Sequence, residues 1–112
     1  MKVMSFNCRG LAGPPKRSAH KRVVSLECPD ILFLQETLGG GDEVKRILEK
    51  WFPGWLFEAL DVKGKSGGLV VGWDLNWAKV SNIWGMDSVL GLTTLALDLG
   101  EEFNLINIYG PY

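Results

Sequence analysis

The 112 residues suffice for one ordinary domain and are too few for two. A content of 46% hydrophobic and 22% charged residues excludes a disordered chain, and 12 Lys+Arg against 13 Asp+Glu, net −1, excludes a general polyanion binder. The charge is segregated all the same. Residues 1–26 hold Lys2, Arg9, Lys16, Arg17, Lys21 and Arg22 and no acid, so they form either an anion-contact surface or the solvated face of a short helix. Cys8 and Cys28 form no CxxC and have no histidine at metal spacing, which predicts free thiols serving as small apolar residues. MKVMSFNCRGL lacks the apolar run of a signal peptide and no stretch approaches a membrane span. The expected location is intracellular, nuclear or cytoplasmic.

Val3 to Phe6 reads as a short strand ending in Asn7, followed by the breaks Arg9-Gly10 and Gly13-Pro14-Pro15. From Lys16 to Glu27, Ala19, Val23 and Leu26 recur at helical spacing, which predicts an amphipathic helix with those residues inward. Pro29 ends it by pushing Cys28 out of the α region. Ile31-Leu32-Phe33-Leu34 is a continuous apolar run, the mark of a strand buried on both faces. After Gly39-Gly40-Gly41, Asp42 is a candidate N-cap for a helix carrying Val44, Ile47, Leu48 and Trp51 inward, closed by Pro53-Gly54. Trp55–Leu60, Gly68–Trp73, Trp77–Trp84, Leu92–Leu99 and Phe103–Tyr109 then read as strands between Gly, Asp and Asn turns. The order β-α-β-α followed by a meander implies an α/β or α+β sandwich with a mixed sheet and helical crossovers.

Three apolar strands end in polar residues: Asn7, Gln35-Glu36, and Asn107 with Tyr109. Ligands collect at the carboxyl ends of strands fed by crossovers. Alternation places Asn107 and Tyr109 on one face, and Glu36 on the face of Leu32 and Leu34. A carboxylate leaving such an apolar strand must meet solvent, a cation or hydrogen-bond donors. Each residue also has a plainer role: Glu36 as a solvated strand end, Asn7 as a turn former, Tyr109 as a half-buried aromatic and Ser66-Gly67-Gly68 as a tight turn. His20, among bases and far from any carboxylate in sequence, is a poor catalyst. Trp51, Trp55, Trp73, Trp77 and Trp84 are irregularly spaced and read as packing rather than as a base-stacking platform.

Together, SFNCRGL, PDILFLQET, GKSGGLVVGW and NLINIYGPY stand in an order that resembles the endonuclease/exonuclease/phosphatase superfamily, the deoxyribonuclease I-like fold. Within it, the chain looks most like the endonuclease domains of plant non-LTR retrotransposons. The resemblance implies a four-layer α/β sandwich, with residues 1–112 as its N-terminal portion: about one sheet with two helices. It also implies Mg²⁺-dependent phosphodiester cleavage by an activated water, with Mn²⁺ as an alternative ion. Glu36 matches the metal-binding glutamate, and magnesium, which keeps several waters, needs few protein ligands. Asn7 matches the asparagine that positions metal and phosphate, Tyr109 the tyrosine on the scissile phosphate, and Asn107 lines the same side. Arg9, Lys16 and Arg17 are candidate nucleic-acid contacts, with DNA as the family substrate.

The same resemblance places a GD-x-N motif and a Ser-Asp-His motif in the second half of the domain, and neither is present in these 112 residues. The expectation is a DNA-nicking type of domain that is inactive alone. An apolar inner sheet face would be left open to self-association or to a C-terminal half. The alternatives are a non-catalytic remnant binding nucleic acid or protein weakly, and a phosphatase-type relative acting on a small phosphorylated molecule.

Overall fold

The computed structural model describes residues 1–10, 14–37, 40–61, 68–86 and 88–108, with the side chains of residues 14–17 outside that set. The elements are β1 (Val3–Asn7), α1 (Pro14–Glu27), β2 (Ile31–Gln35), α2 (Gly41–Trp51), β3 (Trp55–Leu60), β4 (Leu69–Asp74), β5 (Ala78–Met86), β6 (Val89–Ala96) and β7 (Glu101–Ile108). They build a four-stranded sheet in the order β1-β2-β4-β3 and a three-stranded sheet in the order β5-β6-β7. β1 and β2 are parallel across the α1 crossover, while β4 inserts antiparallel between β2 and β3.

Continuous apolarity correctly marks the central strands. Ile31–Leu34 and Leu69–Trp73 are buried throughout, because each strand of this pair packs on both faces. One face, with Leu32, Leu34, Phe57 and Val70, meets Val24 of α1 and Val44 and Leu48 of α2. The other, with Ile31, Phe33, Leu69, Val71 and Trp73, meets Ala78, Leu90 and Leu92 of the second sheet. A bulge between Val80 and Asn82 resets the alternation of β5, so that Val80 and Ile83, three residues apart, both pack toward this core.

The chain is therefore a partial α+β sandwich of the deoxyribonuclease I-like kind, with two helices and parts of two sheets where about one sheet was expected. Over β2 and β4 the inner face of the four-stranded sheet is covered by the second sheet, so it is not left open there, contrary to expectation. Among the apolar side chains left outside, Trp84, Met86, Ile106 and Ile108 lie on the far face of the three-stranded sheet, while Val3, Leu56, Val23 and Leu26 are exposed on other elements.

Local expectations fail at three places. In α1 the inward residue is Val24, whereas Val23 and Leu26 are 44% and 72% exposed and Ala19 is exposed; the helix presents the His20–Val24 stripe to the sheet. Its end is as expected, with Cys28 at φ +48 before Pro29, but that thiol is exposed and only Cys8 joins the core. In α2 the N-cap is Gly40 and Asp42 lies in the first turn; the Gly41 N–H is met by Asp61 Oδ1 at 2.9 Å. β6 begins and ends three residues before the expected Leu92–Leu99. Leu97 to Gly100 form the turn, closed by Gly100 N–H on Ala96 O at 2.8 Å with Gly100 at φ +67.

Candidate active site

The parallel pair β1–β2 brings its two carboxyl ends side by side, with Asn7 opposite Gln35. Beyond the strands the pairing continues through Cys8 N–H on Gln35 O at 2.8 Å and Gly10 N–H on Glu36 O at 2.7 Å. The backbone then departs from extended geometry on both sides: Arg9 at φ +51, Gly10 at +91 and Glu36 at +54. Two of the three non-glycine left-handed residues among the described residues thus sit at this point. Each costs about 1–2 kcal/mol, a strain that persists only where surroundings enforce it and that concentrates at functional sites.

The turn has a chemical result. β2 ends at Gln35, and the alternation that would carry Glu36 to the face of Leu32 and Leu34 stops there. The half-buried Glu36 instead receives a hydrogen bond on Oε2 from Asn7 Nδ2. Asn7 Oδ1 accepts the Arg9 N–H at 2.9 Å, closing a local turn that fixes the amide. Asn7, Glu36 and the Arg9 backbone are therefore brought together at the two strand ends.

Asn107 stands one step behind. It is 1% exposed, and its Nδ2 donates to Leu34 O and Val70 O of the facing sheet, both at 3.1 Å. Its Oδ1 accepts Gln35 Nε2 at 2.8 Å, and the same nitrogen donates to Ser5 Oγ at 2.9 Å. Two of the three polar bonds of the Asn107 amide thus hold β2 just before Glu36, and the third ties it to β4. In the strand-end pattern Gln35 figures only as the neighbour of Glu36, and Ser5 does not figure. Their signal was present nonetheless: they are polar residues on an otherwise apolar inner face and must find each other there.

The rest of the predicted set is not assembled by the described residues. Tyr109, and Ser66 with Gly67, lie outside them. Lys16 and Arg17 are on the first turns of α1, their side chains again outside that set. Gly68, at φ +117, packs so close to the buried Thr37 that a Cβ would lie 2.2 Å from Thr37 Oγ1, which makes this glycine a structural requirement beside the site. His20 stacks on Phe6 at 5.3 Å in the helix layer, and its buried Nε2 has no partner among the described residues. No group of three or more His, Cys, Asp or Glu side chains among the described residues is arranged to hold a metal. Among them, too, no helix is long and apolar enough to cross a membrane.

No family model and no curated protein matches the chain. Solved structures match nearly all of it. The catalytic domain of human Nocturnin, with a bound sulfate anion, shares 17% identity at a TM-score of 0.74 over 95% of this chain and 48% of that one. An endonuclease/exonuclease/phosphatase family protein from Bacteroides thetaiotaomicron gives 14% identity and a TM-score of 0.71 over 96% and 49%. The AP endonuclease from Leishmania major gives 21% and 0.68 over 96% and 39%. The chain thus spans half or less of these structures. At such identities the likeness is one of fold: this chain shares part of the fold of these structures, among them a protein of the endonuclease/exonuclease/phosphatase family.

Proposed function

We propose that the chain carries the Glu36 side of a divalent-metal site for phosphodiester hydrolysis, of the DNA-nicking type found in retrotransposon endonucleases. The supporting observation is the Asn7–Glu36 pair, held on left-handed backbone at the carboxyl ends of two parallel strands. The donor chemistry fits Mg²⁺ or Mn²⁺: the Glu36 carboxylate is a hard oxygen donor, and magnesium keeps several waters and so needs few protein ligands. Glu36 would hold the ion and Asn7 would orient the carboxylate. The ion, when bound, supplies Lewis-acid polarisation of a phosphoryl oxygen. Asn107 is a positioning residue that acts through Gln35. The Arg9 side chain, on the loop closed by Asn7, is the nearest candidate contact for a DNA phosphate, with Lys16 and Arg17 further along the same basic segment. His20 packs in the helix layer against Phe6, so the general base must come from elsewhere; such a base is worth about 10²–10⁴ in rate.

The test is Mg²⁺-dependent nicking of supercoiled plasmid by the 112-residue chain. The expected result is little or no nicking by this chain alone, with any that is measured requiring the ion and lost in Glu36→Gln. Efficient nicking that Glu36→Gln leaves intact overturns the assignment. The absence of a metal-holding cluster among the described residues favours one second reading, a non-catalytic module that binds nucleic acid through the basic segment. That reading predicts Glu36-independent DNA binding that falls steeply with salt.

A further inference from the structure

At the opposite end of the four-stranded sheet, a cavity of about 250 Å³ opens between the end of α1, the residues leading into β2, the start of β3 and the turn after β4. Its walls contrast with the Asn7–Glu36 end. Phe52, Trp55 and Trp77 supply aromatic surface, Asp30 and Asp74 supply two carboxylates, and among the described residues no Lys, Arg or His lines it.

The frame is built before any ligand arrives. Asp74 N–H donates to Asp30 O at 2.9 Å, which ties the two acidic positions together across the sheet end. Asp30 Oδ2 accepts the Lys2 N–H at 2.8 Å, and Asp74 Oδ1 accepts the Asn76 N–H at 2.9 Å. Each carboxylate thus has one oxygen engaged by backbone and a second unengaged among the described residues. The nearby Lys2 ammonium does not neutralise them, because it is turned to Glu27 Oε2 at 3.0 Å. Trp55 is stacked on Phe57 at 5.9 Å and braced by Phe52 at 5.9 Å. Trp77 is 47% exposed, yet its backbone is held by Asp74 O on one side and by the Leu97 N–H on the other.

From this combination we infer that the cavity is a binding site for an organic cation, a substituted ammonium group held between aromatic faces and the Asp30 and Asp74 carboxylates. Aromatic rings attract such cations through their electron-rich faces, and weakly hydrated alkylammonium groups are the ones that gain most from them. An anion would meet two carboxylates and, among the described residues, no base. A purely apolar ligand would leave the carboxylates desolvated and unpaired. The cation could be a free small molecule or a side chain of a bound protein, and both present the same chemistry.

The intact chain labelled with ¹⁵N tests this through its five indole N–H signals, with choline as the first probe and its neutral isostere 3,3-dimethylbutanol as the second. The expected result is saturable movement of the Trp55 and Trp77 signals by choline, no movement of Trp84 on the other sheet, and no response to the isostere. Asp74→Asn keeps the turn-closing oxygen and removes the charge, and Trp77→Ala removes a half-exposed ring; each should weaken choline binding by about tenfold or more. Tighter binding of a trimethyllysine peptide than of choline assigns the site to a protein side chain, and the reverse order to a small molecule. Equal response to choline and the isostere overturns the inference. So does an absence of saturable shifts, or choline binding that both substitutions leave unchanged.

Discussion

The two sheets of this molecule live in different surroundings, and their strands differ accordingly. Near-continuous apolarity marks β2 and β4, whereas apolar and polar residues mix in β5 and β7. β2 and β4 are covered by helices on one side and by the second sheet on the other, whereas β5, β6 and β7 are covered on one side only. A repeated motif makes the difference concrete. Gly72 in β4 lies beneath the ring of Phe57, and Gly91 in β6 beneath that of Trp84; an added Cβ would sit 2.2 Å and 2.4 Å from those rings. Phe57 is 1% exposed and has nowhere to go, while Trp84 is 41% exposed and can swing into water. The same local geometry is thus a constraint in one sheet and a convenience in the other. The candidate active site is rooted in the constrained sheet, at the carboxyl end of β2.

Four experiments can break or sharpen this contrast, each read by urea unfolding. Leu34→Ala should cost about 3–4 kcal/mol, and Ile108→Ala on the outer face of β7 less than about 0.5 kcal/mol. Equal losses would mean that the outer face is buried in solution. Asn107→Leu removes a buried amide and leaves Gln35 short of an acceptor, for a loss of about 2–3 kcal/mol and a fall in Mg²⁺-dependent nicking. Gly72→Ala should destabilise by about 1–3 kcal/mol through overpacking, against less than about 1 kcal/mol for Gly91→Ala. Glu36→Gly should leave stability unchanged or raise it by up to about 1 kcal/mol, because glycine relieves the left-handed backbone, while abolishing metal-dependent activity. A clear loss of stability in this last variant would show that Glu36 serves the fold rather than the site.

Sequence patterning reached the element order and the central core because β2 and β4 are uniformly apolar and α2 carries a regular stripe. It missed where local and tertiary effects compete. In α1, Ala19, Val23 and Leu26 form a helical stripe as good as the one that is buried, and only the position of the sheet selects Val24. In β6 the leucines at 97 and 99 extend the apolar run into a turn that Gly100 dictates. For the site, strand-end polarity picked out Asn7 and Glu36. Periodicity carried Glu36 to the wrong face, since one left-handed residue ends the alternation. The Asn107–Gln35–Ser5 chain spans separations of 72 and 30 residues, a pairing that only the folded topology selects.

Asn107 also bears on how β7 finds its alignment. Alternation of inward and outward residues forbids a slip by one position, which would turn Ile106 and Ile108 inward and Leu105 out. It does not forbid a slip by two, which preserves both faces and would bring Leu105 to the place now held by the amide. A displaced Asn107 would be stripped of Leu34 O, Val70 O and Gln35 Nε2 together. A single buried polar side chain thereby excludes the misalignments to which the hydrophobic pattern is blind.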